Sequence, residues 1–157
     1  MIKIDDGGST DAAIKRLEGM AAMLGPSREA VIVVSERSDD ILHRQKEQGR
    51  DVLSWHPDEA QSALEIAEVH ITRARDAGVT VEGAGTAARA MWQELGEYFR
   101  DRIAAKINDT THIAKKALSE SYAAWKAKHF GAGLPILVAS REMLEDVKNA
   151  TVEIRDK

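Results

Sequence analysis

The sequence lacks cysteine and is poor in aromatic residues, which make up 4% of its 157 residues. The missing cysteines exclude disulfides, thiolate zinc sites and thiol nucleophiles. With so few aromatics, a core must consist mainly of Ala, Leu, Ile, Val and Met. No apolar run approaches the roughly 20 residues of a membrane span, and the segment from Met1 to Asp6 has no apolar signal core. We therefore expect synthesis in the cytoplasm and no membrane partner.

The charge balance is acidic, with 26 Asp and Glu against 22 Lys and Arg, a net charge of −4. A dedicated nucleic-acid binder needs a basic surface for its phosphate contacts, so this balance argues against that class. A length of 157 residues indicates a single domain over 1–157 that is large enough for a real core.

The apolar periodicity predicts an α+β fold in which long amphipathic helices pack on a small antiparallel sheet. Pro57 suits a first helical position, and Gly78 suits a helix end. The predicted elements are an edge strand at 2–4, a helix from 9 or 10 to 24, helices at 57–77, 86–107 and 113–129, a strand at 136–138, a short helix at 141–147 and a strand at 151–154.

Two stretches are harder to interpret. The β-branched run Ala30–Val34 fits a buried strand, but a helix over 27–48 with a polar outer surface also fits and is favoured. Before the clearest helix, Gly83 and Gly85 indicate a flexible joint, and Thr86 is the expected helix cap. The segment 49–56 is expected to be a loop.

No arrangement of residues points to catalysis. The five histidines show no metal-binding spacing, so no metal or other cofactor is expected. The carboxylates are dispersed along polar helix faces rather than paired. A small hydrolase that uses Glu94, Glu97 or His112 remains an alternative, and alanine changes at these positions would then abolish an activity.

A basic segment interleaved with aromatics is the main candidate for binding. It contains Lys115, Lys116, Tyr122, Trp125, Lys126, Lys128 and His129. Such a segment could follow a nucleic-acid backbone, or it could dock on an acidic neighbour or on another copy of the chain. The negative net charge favours protein contact. A small nucleic-acid-binding module based on residues 115–129 is the alternative, and its binding would weaken steeply with salt.

The order of elements after Thr86 resembles the virion-morphogenesis family of tailed bacteriophages, which are neck, tail-completion or minor tail components. In this sequence a long helix leads to the polar loop 108–111, the basic segment 115–131, the turn 135–144 and a closing strand. The family turn reads Pro-Leu-(Ile/Val)-Asp-Thr-Gly-x-Leu. Ala139, Ser140 and Arg141 replace its Asp-Thr-Gly, and residues 49–85 look like a family-atypical insertion.

The resemblance implies a structural protein without catalytic residues that works at the head–tail junction of the virion. Copies of the chain would form a ring that joins head and tail, next to neck and tail-tube proteins, and DNA would pass through only transiently. The expected site of synthesis is the host cytoplasm. The candidate interface residues are Lys115, Lys116, Trp125, Lys126, Lys128, Pro135, Ser140 and Arg141.

Overall fold

The computed structural model describes residues 2–3, 28–54, 56–78, 81–108, 120–131 and 141–156. Within them the fold is α+β, as predicted, with helices and a small antiparallel sheet. The strands are β1 (Ile2–Lys3), β2 (Arg28–Val33) and β3 (Thr151–Asp156). The helices are α1 (Glu36–Glu47), α2 (Pro57–Asp76), α3 (Val81–Asn108), α4 (Glu120–Phe130) and α5 (Glu142–Lys148).

The sheet has the order β1-β2-β3, with β2 in the centre. β3 pairs along the whole of β2, where Val31 lies opposite Glu153 and Ile32 opposite Val152. β1 pairs with the other edge of β2, where Ile2 lies opposite Ile32. Consecutive residues Ala30, Val31 and Ile32 are fully buried, so this strand is covered on both faces, which explains its continuous apolar run.

The favoured helix over 27–48 is wrong in its first part, and the strand alternative is right there. β-branched Val31, Ile32 and Val33 suit a pleated, paired strand better than a helix. The helix begins only at Glu36, because Ser35 is extended and its side chain accepts a hydrogen bond from the Ser38 backbone N–H at 3.2 Å. Such a cap satisfies one of the donors that a helix start leaves unpaired.

The predicted helix at 57–77 is confirmed as α2. Pro57 is its first residue, and the buried Glu59 side chain accepts from the His56 backbone N–H at 3.1 Å. After the helix, Gly78 takes a φ of +60°, a conformation that glycine adopts without a steric cost. The buried stripe of α2 consists of Ala60, Ala63, Leu64, Ala67, Ile71 and Ala74.

Helix α3 starts earlier than predicted. Gly83 and Gly85 lie inside the helix rather than in a joint, so Thr86 is not its cap. Each helical glycine costs about 1 kcal/mol relative to alanine, a cost that the burial of an apolar face further along this 28-residue helix can offset. The expected end near Ile107 is confirmed, because the helix ends at Asn108.

Gly96 allows close packing between α3 and the sheet. A Cβ placed on Gly96 would overlap Val152 Cγ1 and would lie 3.3 Å from the Ala30 Cβ. Any side chain at this position would therefore force α3 away from β2 and β3.

The chain divides into two compact units, each assembled from separate segments. One unit contains α1, α4, α5 and the end of α3 from Arg100, and the other contains the three strands, α2 and α3 up to Phe99. The single domain over 1–157 stays a prediction. The suspected insertion at 49–85 forms α2 and the first residues of α3.

The other predicted elements either are confirmed by the structure or lie outside the described residues. The short helix and closing strand are confirmed as α5 and β3, and the loop at 49–56 is confirmed in its described residues. The predicted helix ending at Leu24, the strand at 136–138 and positions 109–111 of the polar loop lie outside the described residues. Asn108, which is predicted to belong to that loop, is instead the last residue of α3.

Candidate assembly surface

Helix α4 forms the described end of the predicted basic helix. It starts at Glu120 and ends at Phe130. Gly131 then takes a φ of +107°, and its N–H donates to the Ala127 carbonyl at 3.1 Å. This left-handed residue closes the last turn and ends the helix.

Every residue of α4 except Lys126 is exposed. The large side chains Trp125, Tyr122 and Phe130 are 46%, 44% and 40% exposed. Most helices in globular proteins bury an apolar stripe, and an isolated helix of eleven residues is only marginally stable in water. An exposed helix that carries three large apolar side chains is typical of a binding surface.

The aromatic rings of α4 form one cluster around Trp125. The Tyr122 ring stacks on it with centroids 5.7 Å apart, and the His129 ring stacks with centroids 4.5 Å apart. Phe130 packs edge-on at 5.6 Å. The His129 Nδ1 lies 2.8 Å from the Trp125 carbonyl oxygen, which fixes the imidazole over the indole. The four side chains therefore pack against one another along one side of the helix. We call these four residues the aromatic cluster.

The cations of α4 differ in their surroundings. Lys128 is exposed and lies three residues after Trp125, so both side chains share a helix face. Lys126 is only 5% exposed, which differs from the surface position expected for it. Burial lowers the pKa of Lys126, because a charged ammonium loses solvation there.

A cleft of about 270 Å³ lies between α1 and α5 in the same unit. Ile41 and Met143 provide its apolar lining, and Glu142 and Asp146 provide carboxylates. At the rim, Arg37 Nη1 lies 3.9 Å from Glu142 Oε2, with both side chains largely exposed. Ser35, Ser38 and Arg37 complete the lining, so the cleft presents two apolar side chains among polar and charged groups of both signs.

Asp146 joins the two helices that form the cleft. Its Oδ2 accepts from the Ser35 backbone N–H at 3.0 Å and from the Ser35 hydroxyl at 2.8 Å. Burial acts to raise the pKa of Asp146, but hydrogen bonds from Ser38 and Ser35 outweigh it and leave that pKa lowered. The charged carboxylate thus holds in place Ser35, the residue that caps α1, from 111 positions away in the sequence.

Arg141 precedes α5 in a left-handed conformation, with a φ of +70°. Non-glycine residues rarely adopt this conformation because the Cβ crowds the backbone. Arg141 therefore carries a conformational cost that glycine would not have.

The structure places four of the predicted interface residues. Trp125, Lys126 and Lys128 lie on α4, and Arg141 precedes α5. Lys115, Lys116, Pro135 and Ser140 lie outside the described residues.

Sequence reasoning missed Phe130 and the cleft. The chain has two Phe, three Trp and two Tyr residues, and three of these seven fall between positions 122 and 130. In a chain so poor in aromatics, that concentration was a usable signal. No sequence signal indicated the cleft, because its lining residues lie far apart in the sequence.

The residues named for a hydrolase have other partners. His70 Nε2 contacts the Glu94 carboxylate, and Glu97 accepts from the Gln93 amide at 3.1 Å. His112 lies outside the described residues. Among the residues that the structure describes, no group of His, Asp and Glu could hold a metal ion, and no helix is long and apolar enough to cross a membrane.

No protein-family model, curated protein or solved structure matches this chain.

Proposed function

We propose that this chain is a structural protein that assembles through the aromatic cluster of α4, and that its assembly is a ring at the head–tail junction of a tailed phage. The exposed aromatic cluster is the observation that carries the assembly role. Fully burying a large apolar side chain contributes about 1.5–3 kcal/mol. Tyr122, Trp125 and Phe130 are each partly exposed already, so together they would contribute a few kcal/mol.

The composition of the surface favours a protein partner. Aromatic residues are enriched in the buried centres of protein interfaces, and Trp and Tyr are frequent hot spots. The exposed Lys128 beside Trp125 would lie at the rim, where charge sets orientation and rate of association.

The same geometry disfavours base stacking. Tyr122 and His129 both stack on the Trp125 ring, so a base would have to displace one of them to reach the indole face. A nucleic-acid module predicts DNA binding that weakens steeply with salt and with loss of Lys115, Lys126 or Lys128. The assembly role predicts neither effect.

The head–tail location is supported by the sequence resemblance. The long helix α3, the short helix α5 and the closing strand β3 follow in the expected order. In this proposal the partners are copies of the chain and neighbouring neck and tail-tube proteins, and DNA passes through without tight binding. A neck, a tail-completion and a tail-terminator protein would each use the same assembly surface in this way.

Quantitative mass spectrometry of purified tailed particles from the source of this gene tests the location. We expect the chain at a ring-like copy number, far below that of the capsid protein. Its absence from mature particles would refute the virion role. Salt-dependent DNA binding by the purified chain would then favour the nucleic-acid module.

A further inference from the structure

We infer that the outer edge of β3 pairs with β3 of a second copy, in an antiparallel ladder centred on Ile154. β3 is six residues long and pairs with β2 on one side along its whole length. In the part of the chain that the structure describes, no strand pairs with its other side. An edge strand leaves alternate backbone N–H and C=O groups without ladder partners, and such an edge binds extended segments.

This contact goes beyond the proposed assembly through α4. β3 and α4 belong to different units of the chain, and pairing at β3 uses no residue of the aromatic cluster. The contact is isologous, because each copy presents the same strand to the other. It therefore predicts pairs of copies whether or not α4 assembles.

The two faces of β3 limit the registers that such a ladder can adopt. Glu153 and Arg155 share one face, where Arg155 Nη2 lies 2.7 Å from Glu153 Oε2. Val152, which is buried, and Ile154, which is half-buried, share the other face. A shift of one residue would join the apolar face of one copy to the charged face of the other. Only registers that pair odd-numbered with odd-numbered positions keep like faces together.

The charges of β3 then select one of these registers. When Glu153 lies opposite Arg155 of the second copy, Ile154 lies opposite the second Ile154, and the twofold symmetry forms the charge pair twice. The neighbouring registers place Glu153 opposite Glu153 or Arg155 opposite Arg155. Opposite charges directly across a ladder are stabilising, and like charges are destabilising. The charge order of β3 is therefore complementary to itself, which argues for a second copy as the partner.

Disulfide formation tests the register, because the chain has no native cysteine. Glu153→Cys and Arg155→Cys variants are mixed at equal concentration and oxidised. Residues directly opposite in an antiparallel ladder have Cα atoms roughly 4.5–5.5 Å apart, which suits a disulfide. The mixed pair also keeps one native contact between Glu153 and Arg155. Thr151→Cys mixed with Glu153→Cys is the collision control, since Thr151 is exposed on the same face but lies four positions out of register.

We expect the 153–155 product to form at least about tenfold faster than the control product, because pairing raises the effective concentration of the two thiols. It should also form faster than the 153–153 and 155–155 products. Faster linking within either single variant would show a register that the charges do not select. Linking no faster than the control would show that the β3 edges do not meet. Either result would overturn the inference.

Mixed charge variants provide a second measurement, made in a Trp125→Ala background so that the α4 contact is removed. Glu153→Arg and Arg155→Glu each place like charges at both positions of the contact. Each alone should self-associate at least about tenfold more weakly than the background chain. An equimolar mixture restores opposite charges between copies, and we expect it to recover the association. Mixing cannot restore the ion pair within one strand, so recovery identifies a contact between copies. A mixture as weak as its components would overturn the inference.

Sedimentation separates this inference from the proposed function. If Trp125→Ala alone abolishes all self-association, assembly through α4 stands and the β3 contact is wrong. If Trp125→Ala changes nothing while the charge variants dissociate the chain, the β3 contact stands and the assembly role of α4 is wrong.

Discussion

Asp146 on α5 accepts two hydrogen bonds from Ser35, the residue that caps α1. Helix α5 thus accepts the hydrogen bonds of the residue at the start of α1, which lies 111 positions earlier in the chain. The link is polar and charge-assisted, and it fixes the two walls of the cleft.

Replacing Asp146 with alanine should destabilise the chain by about 1–2 kcal/mol. The change removes a charged acceptor and leaves the Ser35 donors to water. Chemical denaturation measures this loss. Glu145→Ala is the matched control, because Glu145 lies on the same helix with an exposed side chain. An equal loss in the control would assign the effect to α5 itself.

The same carboxylate makes stability depend on pH. Since the pKa of Asp146 is lowered in the folded chain, its contribution is complete above its ordinary value near 3.8 and is lost as pH falls through the lowered value. Asp146→Asn should remove this part of the acid dependence in denaturation curves recorded between neutral and strongly acidic pH. Curves of identical shape for the two proteins would contradict this role of Asp146.

Gly96→Ala should destabilise the chain by about 1–3 kcal/mol, because the added Cβ overlaps Val152. Gly85→Ala provides the control within the same helix. A Cβ there would lie 3.7 Å from Arg28 Nη2, an ordinary contact, and alanine favours a helix over glycine by up to about 1 kcal/mol. Opposite signs of the two changes in unfolding free energy are therefore expected.

Arg141→Gly should stabilise the chain or leave it unchanged. The left-handed conformation costs a non-glycine residue about 1–2 kcal/mol, a cost that glycine avoids. Glycine also makes the unfolded chain more flexible, which lowers stability by about 0.4–1 kcal/mol. Thermal unfolding measures the difference. Arg141→Ala keeps the Cβ and should show no such gain. A clear loss of stability in the glycine variant would mean that the arginine side chain has a structural role.

Trp125→Ala should weaken self-association by about 2 kcal/mol or more while it leaves folding nearly intact, because Trp125 is 46% exposed. Sedimentation over a concentration series measures the association, and denaturation measures the fold. Trp92→Ala is the contrasting change, since Trp92 is only 8% exposed and its loss should cost about 3–5 kcal/mol of stability. Unchanged association in Trp125→Ala would contradict the assembly surface.

Elements with strong local signals were predictable from the sequence. Pro57 and Gly78 bracket α2, and the apolar repeat through Leu95 predicts α3. These signals depend on the chain alone, so they need no knowledge of neighbours.

The predictions that were wrong concern segments whose secondary structure depends on contacts with distant parts of the chain. Ala30 to Val33 could extend a helix, but pairing with β3 makes it a strand. Gly83 and Gly85 look like a joint, yet they continue the helix. The candidate site shows the same limit, since the exposed aromatics were visible in the sequence but the cleft and the burial of Lys126 were not.

The contact between Gly96 and Val152 also offers a way to recognise distant relatives of this chain. A helix that touches a sheet through a bare backbone tolerates little substitution at that point, whatever happens to the surfaces around it. Divergent descendants should therefore retain a glycine in the long helix facing a β-branched residue in the last strand. That pair is a spatial signature, and it would persist after the similarity between whole sequences has faded.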